Sequence, residues 1–107
     1  MHIVNIRFKP KAKYVETFRY TVDKFTEETR TEEGCLYFDW FRNTDYPGEY
    51  LVVGVWTDEG AKAHQNSEQY LRAQETLPPL LQQTPLIVQS EFPHKKGWER
   101  FSDFAVN

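Results

Sequence analysis

The order of periodicities along the chain predicts an α+β domain, β-α-β-β-α-β, with one four-stranded antiparallel sheet and two helical regions on one face. Three observations carry this. Four segments alternate with a period of two, two segments carry apolar residues at helical spacing, and clusters of turn formers separate them. Together they describe a ferredoxin-like arrangement.

The first strand covers residues 2–8. His2, Val4, Ile6 and Phe8 share one face, and Ile3, Asn5 and Arg7 share the other. Lys9-Pro10-Lys11 turns the chain. From about residue 12 to residue 30 the period changes: Tyr14/Val15, Phe18, Val22 and Phe25 fall at helical spacing among charged residues, and Gly34 closes the region. Residues 35–42 form the second strand, with Cys35, Tyr37, Asp39 and Phe41 against Leu36, Phe38, Trp40 and Arg42. The run Asn43-Thr44-Asp45-Tyr46-Pro47-Gly48 is a loop, and residues 49–56 return as the third strand of a hairpin.

Thr57-Asp58-Glu59 supplies a cap and an acidic first turn for a short helix. Asn66-Ser67 offers a fresh cap, and the next helical stretch carries Tyr70, Leu71, Gln74, Leu77 and Leu81 until Pro78-Pro79 disturbs or ends it. Residues 84–92 alternate again and form the fourth strand. In the third strand both faces are apolar: Tyr50, Val52, Gly54 and Trp56 on one, Leu51, Val53 and Val55 on the other. Two helices cover only one face, and a free face in water would be polar. The second face is therefore expected to meet the same face of another copy, giving a homodimer with sheet on sheet. Tyr37, Tyr50 and Trp56 are candidates for that second face.

Composition narrows the function. The chain has 107 residues and a net charge of -3, with eight Phe, six Tyr and three Trp. One domain of 12.8 kDa must house all these rings, or bury some against a partner or ligand. The negative balance gives no general attraction for nucleic acid. No apolar run is long enough to cross a membrane, so no membrane partner is expected. A single cysteine, Cys35, excludes a disulfide framework and a multi-cysteine zinc site. With no signal-peptide pattern at the N-terminus, the expected compartment is the cytoplasm.

Several short stretches then suggest a family. Glu33-Gly34-Cys35-Leu36 enters the second strand, Val55-Trp56-Thr57-Asp58-Glu59 leaves the third, and Ala63-His64 is followed by Ser67 and Tyr70. In this order, over roughly residues 1–92, the chain resembles the antibiotic biosynthesis monooxygenase domain of the dimeric α+β barrel superfamily. The resemblance implies two protomers forming a barrel and a pocket in each. It also implies cofactor-independent oxygenation of phenols, anthrones or quinols, with no metal and no flavin. Gly54 departs from a glutamate common in relatives, and Glu68-Gln69-Tyr70 from Pro-His-aromatic. Haem-degrading relatives place a histidine ligand where Gln74 stands, and an amide is a poor ligand for iron, so haem degradation is set aside.

The candidate site residues follow. His64 is the residue best suited to proton chemistry, because imidazole titrates near neutral pH. Asn5 either meets a substrate oxygen or makes a structural hydrogen bond. Arg7 either steers an anionic phenolate or pairs with Asp39 or Glu91. Asp39, on one face with Tyr37, either acts as a base through burial or pairs with an arginine. Tyr37, Trp56 and Tyr70 either contact a planar substrate or are core. Catalytic candidates are thus His64, Asn5 and Asp39, and substrate-binding candidates are Arg7, Tyr37, Trp56 and Tyr70. Cys35 reads as a small buried apolar residue, not a nucleophile.

Residues 93–107 form an aromatic tail with Trp98, Phe101 and Phe104, expected to pack on the domain, on the dimer partner or over the pocket mouth. The leading expectation is a homodimeric, cofactor-free monooxygenase for a small aromatic or quinol substrate. The alternatives are an isomerase of a small metabolite on the same fold and a non-catalytic dimeric protein that binds a hydrophobic ligand.

Overall fold

A computed structural model describes residues 1–106. Four antiparallel strands, β1 (His2–Phe8), β2 (Cys35–Arg42), β3 (Tyr50–Trp56) and β4 (Leu86–Glu91), form one sheet in the order β2-β3-β1-β4. Helices α1 (Phe18–Thr21), α2 (Asp23–Arg30), α3 (Asp58–Gln65) and α4 (Glu68–Thr76) complete the β-α-β-β-α-β order. The architecture is the ferredoxin-like α+β fold expected from the periodicities.

The first helical region is not continuous. A 3-10 turn at Ala12–Tyr14 precedes α1, and Val22 breaks the path between α1 and α2 at φ -90°, ψ 9°. Threonines explain this. The hydroxyls of Thr17, Thr21 and Thr26 donate back to the carbonyls of Tyr14, Thr17 and Val22 at 3.3, 3.0 and 2.7 Å, and such back-bonding competes with regular helix. The inward positions are nonetheless those of the periodicity: Phe18 and Val22 are fully buried, beside Phe8.

Pairing fixes the faces. Val4, Phe8, Phe38, Tyr50, Val52 and Trp56 pack with the helices in the core. Tyr50 and Trp56 are therefore on the helix-covered face, a correction to their expected place on the second face. A bulge between Cys35 and Tyr37 adds a second correction: Cys35 pairs with Trp56 and packs on the core, while Tyr37 pairs with Val55 on the far face. Simple alternation had put Cys35 and Tyr37 together.

The far face carries Ile3, Asn5, Arg7, Leu51, Val53, Val55, Tyr37, Asp39, Phe41, Leu86 and Val88, as the registers show. No helix covers it. The C-terminal segment leaves β4, at one edge of the sheet, and its Trp98 stacks on Tyr37 of the opposite edge strand, with ring centroids 4.7 Å apart.

Candidate active site

The residues expected to act together divide between the two faces. His64, Trp56 and Tyr70 meet on the helix side. Asn5, Arg7, Tyr37 and Asp39 lie on the other side of the sheet, so no single cavity serves all seven.

Two caps build the helix side. The Thr57 hydroxyl accepts from the Gly60 N–H at 3.0 Å and starts α3. The Ser67 hydroxyl accepts from the Tyr70 N–H at 3.3 Å and donates to the His64 carbonyl at 2.6 Å. The chain therefore turns sharply between α3 and α4. That places His64, in the last turn of α3, against Tyr70, in the first turn of α4, with ring centroids 4.8 Å apart. Trp56, ending β3, lies 4.5 Å from the imidazole by the same measure.

Below these rings sits Glu32, in the turn between α2 and β2. Its Oε2 lies 2.8 Å from Nδ1 of His64 and accepts from Nε2 of Gln69 at 2.6 Å, while Oε1 accepts from Nε1 of Trp56 at 2.8 Å. Glu32 and His64 are largely withdrawn from water, with side chains 13% and 9% exposed. One carboxylate thus ties together a turn, a strand and two helices.

His64, Trp56 and Tyr70 line a cavity of about 390 Å³ between sheet and helices. Its walls are chiefly apolar, formed by side chains such as Val4, Val52, Ile87 and Leu77. Polar groups reach it from His2, His64, Gln74 and Gln89. A partly open apolar cleft with a few polar groups is the usual form of a small-molecule site.

Gly54 does not enlarge this cavity. A Cβ built there would lie 2.5 Å from Cη2 of Trp56 and 3.1 Å from Cδ1 of Phe38. The indole fills the space that a side chain would take, and this position lets Trp56 reach Glu32. A carboxylate is therefore present at the site, supplied by Glu32.

On the far face the carboxylates are occupied with arginines. Arg7 pairs with Glu49 at 2.6 Å, neither Asp39 nor Glu91 being its partner. The hydrogen bond and charge of Glu49 hold Arg7 above its usual pKa, and Arg7 holds the Glu49 carboxyl below the usual range. Asp39 pairs with Arg30 at 3.4 Å, which reaches around the edge strand and also donates to the Phe38 carbonyl at 2.9 Å. Among the described residues the Asn5 amide has no side-chain hydrogen bond. Burial, with the charge of Asp39, raises the Tyr37 pKa, so its phenol stays neutral. Burial, then the charge of Glu32, pushes the Cys35 thiol up to about 11, which leaves it unreactive at neutral pH.

Glu32 as the partner of His64, and Gln69 as a donor to Glu32, escaped sequence reasoning. Glu32 stands in the polar run Thr31-Glu32-Glu33, which reads as solvated turn, and loop residues have no periodicity to mark burial. The only available signal was the placement of three acceptor or donor side chains at strand and helix ends.

Comparison with known proteins agrees with this fold. The family model for antibiotic biosynthesis monooxygenases matches residues 1–76, and the chain belongs to that family. Among solved structures it is similar to Rv0793 from Mycobacterium tuberculosis, at 22% identity and a TM-score of 0.79, covering 90% of this chain and 98% of that one. A structure named antibiotic biosynthesis monooxygenase matches at 22% identity and 0.76, covering 86% and 98%. PA3566 from Pseudomonas aeruginosa matches at 22% identity and 0.72, covering 83% and 90%. These likenesses establish the shared fold. No curated protein matches the chain.

Proposed function

We propose that the chain is a monooxygenase that acts without a cofactor on a small aromatic, phenolic or quinol substrate, and that it works as a homodimer. The observation that carries this reading is the imidazole of His64 at the wall of an apolar cavity, backed by a partly buried carboxylate. Family membership supports the reaction class.

In this reading His64 takes a proton from the phenol or from an activated ring carbon. The apolar walls keep water from competing, and the rings of Trp56 and Tyr70 offer faces to a planar substrate. The resulting anion is electron-rich enough to reduce oxygen. For an anthrone, the ring CH₂ becomes C=O and the second oxygen atom leaves as water. The substrate supplies all four electrons, so the balance needs no external reductant. His64 is the proposed catalytic residue, with Trp56 and Tyr70 as substrate contacts. Asn5, Arg7, Tyr37 and Asp39 belong to the face offered to a second copy.

The area of the chain supports the homodimer. A compact monomer of this mass exposes roughly 6300 Å², whereas this chain exposes 7905 Å². The excess is about twice the ~800 Å² that each partner contributes to a standard interface. Part of it belongs to the C-terminal tail, and part to an apolar sheet face with Leu86 and Val88 56% and 70% exposed.

An oxygen electrode tests the chemistry. With anthrones or hydroquinones under metal-free conditions, uptake should exceed the enzyme-free rate, and His64→Ala should lower it by roughly 10²–10⁴-fold. Binding of these compounds without uptake would overturn the proposal in favour of a ligand-binding protein. Their conversion in the absence of oxygen would overturn it in favour of an isomerase.

A further inference from the structure

Glu32 does not reach the cavity wall, yet it holds an imidazole that does. The donor pattern around it admits one assignment. An ionised carboxylate only accepts hydrogen bonds, and an indole N–H only donates. Trp56 Nε1 therefore donates to Glu32, and the Gln69 amide must present its NH₂ group. Nδ1 of His64, 2.8 Å from one carboxylate oxygen and 3.1 Å from the other, must carry a proton as well. In the neutral ring that leaves Nε2 with a free lone pair.

Nε2 has no partner among the described residues, and it is not among the side-chain atoms sealed from solvent without one. Since His64 lines the cavity and its Nδ1 is taken by Glu32, Nε2 is the ring nitrogen left to serve it. The ring is also held in orientation. Trp56 and Tyr70 pack against it, and a half-turn would set a ring carbon against the carboxylate. The carboxylate itself is anchored from two further directions, by Trp56 and by Gln69.

We propose that Glu32 is a positioning residue that fixes His64 in the Nδ1–H tautomer, aims the unprotonated Nε2 into the cavity as the base, and offsets the positive charge the ring gains on taking a proton. This rests on the reading of His64 as the base. A buried acceptor that orients a histidine through its other nitrogen is the general way a protein selects a tautomer.

The competing account is that Glu32 merely staples the α2–β2 turn to α3 and α4, and ¹⁵N NMR of the imidazole nitrogens separates the two. In the full chain at mildly alkaline pH, with His64 assigned by its loss in His64→Gln, the expected signals are a protonated Nδ1 and an unprotonated Nε2. In Glu32→Gln the population should move toward Nε2–H. Gln69→Leu, which keeps the carboxylate, should retain the wild-type tautomer and covers the case in which Glu32→Gln does not fold. Wild-type His64 as Nε2–H, or a tautomer ratio unmoved by Glu32→Gln, would overturn the proposal.

Kinetics supply the second readout. With an anthrone that the wild type turns over, Glu32→Gln should lower kcat at least tenfold and leave KM within twofold. An equal loss in KM alone would assign Glu32 to binding and overturn the positioning role. The two readings fail separately. A wild type in the Nδ1–H tautomer with no oxygen uptake sinks the oxygenase and leaves the Glu32–His64 arrangement standing. Turnover with His64 as Nε2–H does the reverse.

Discussion

Gly54 shows how one missing side chain shapes the site. Its hydrogen is the only substituent the Trp56 indole tolerates at that point of β3. Gly54→Ala should therefore overpack the core and cost ~1–3 kcal/mol. Urea unfolding would read the loss, and an altered tryptophan emission would accompany it; an unchanged midpoint would mean that the indole does not lie over Gly54. Glu49 makes a different prediction. Arg7 holds its folded-state pKa below the ordinary 4.5. The unfolded state therefore binds more protons in this range, so the stabilisation is present above about pH 4.5 and is lost as pH falls through the folded value. Glu49→Gln should flatten the acid limb of stability against pH. An acid limb as steep as that of the wild type would show that another carboxylate carries it.

At the scale of elements, the two short helices depend on their first turns. Isolated helices of eight and nine residues are unstable in water, so caps and packing must hold α3 and α4. Thr57 is placed with unusual closeness, because Gly34 and Gly60 pack backbone to backbone with no room for a Cβ on either. Ser67 joins the end of α3 to the start of α4 through two hydrogen bonds. Ser67→Ala should cost about 1 kcal/mol, a fall in Tm of roughly 4–8 °C for a domain of this size. Because the same hydroxyl sets Tyr70 against His64, activity should fall more than stability does. A thermal melt and an oxygen-uptake rate on the same sample check both.

At the scale of the whole molecule, the helices cover one face of the sheet, while on the other Trp98 stacks on Tyr37, Val55 is fully buried, and Leu86 and Val88 stay exposed. The radius of gyration is 15.0 Å, against about 13 Å for a compact chain of this length. An open sheet and an extended tail account for the difference. In the tail, Phe101 and Phe104 pack on each other at 5.2 Å while remaining 67% and 79% exposed. Trp98 reaches the domain at Tyr37, on the sheet face opposite the cavity. If the tail packs across a second copy, light scattering of the full chain should give twice 12.8 kDa at micromolar concentration. Truncation after Phe92 should then weaken the dimer. A full-length mass of 12.8 kDa would sink the paired-sheet argument, and a truncated dimer of unchanged affinity would sink the role of the tail.

The sequence by itself determined the element order, the strand bounds at His2–Phe8 and Cys35–Arg42, and the fresh cap at Ser67. All of these rest on local periodicity or on capping chemistry within a few residues, which a single chain displays openly. The broken path from Ala12 to Arg30 and the bulge after Cys35 were hidden, because hydroxyl back-bonding and one unpaired residue leave the hydrophobic period nearly intact. Tertiary structure alone decided the site. It brought Glu32, Trp56, His64 and Gln69 onto one carboxylate, and it separated Asn5, Arg7, Tyr37 and Asp39 by the thickness of the sheet. Such meetings depend on where a turn between elements lands after packing, and no period in the sequence records that.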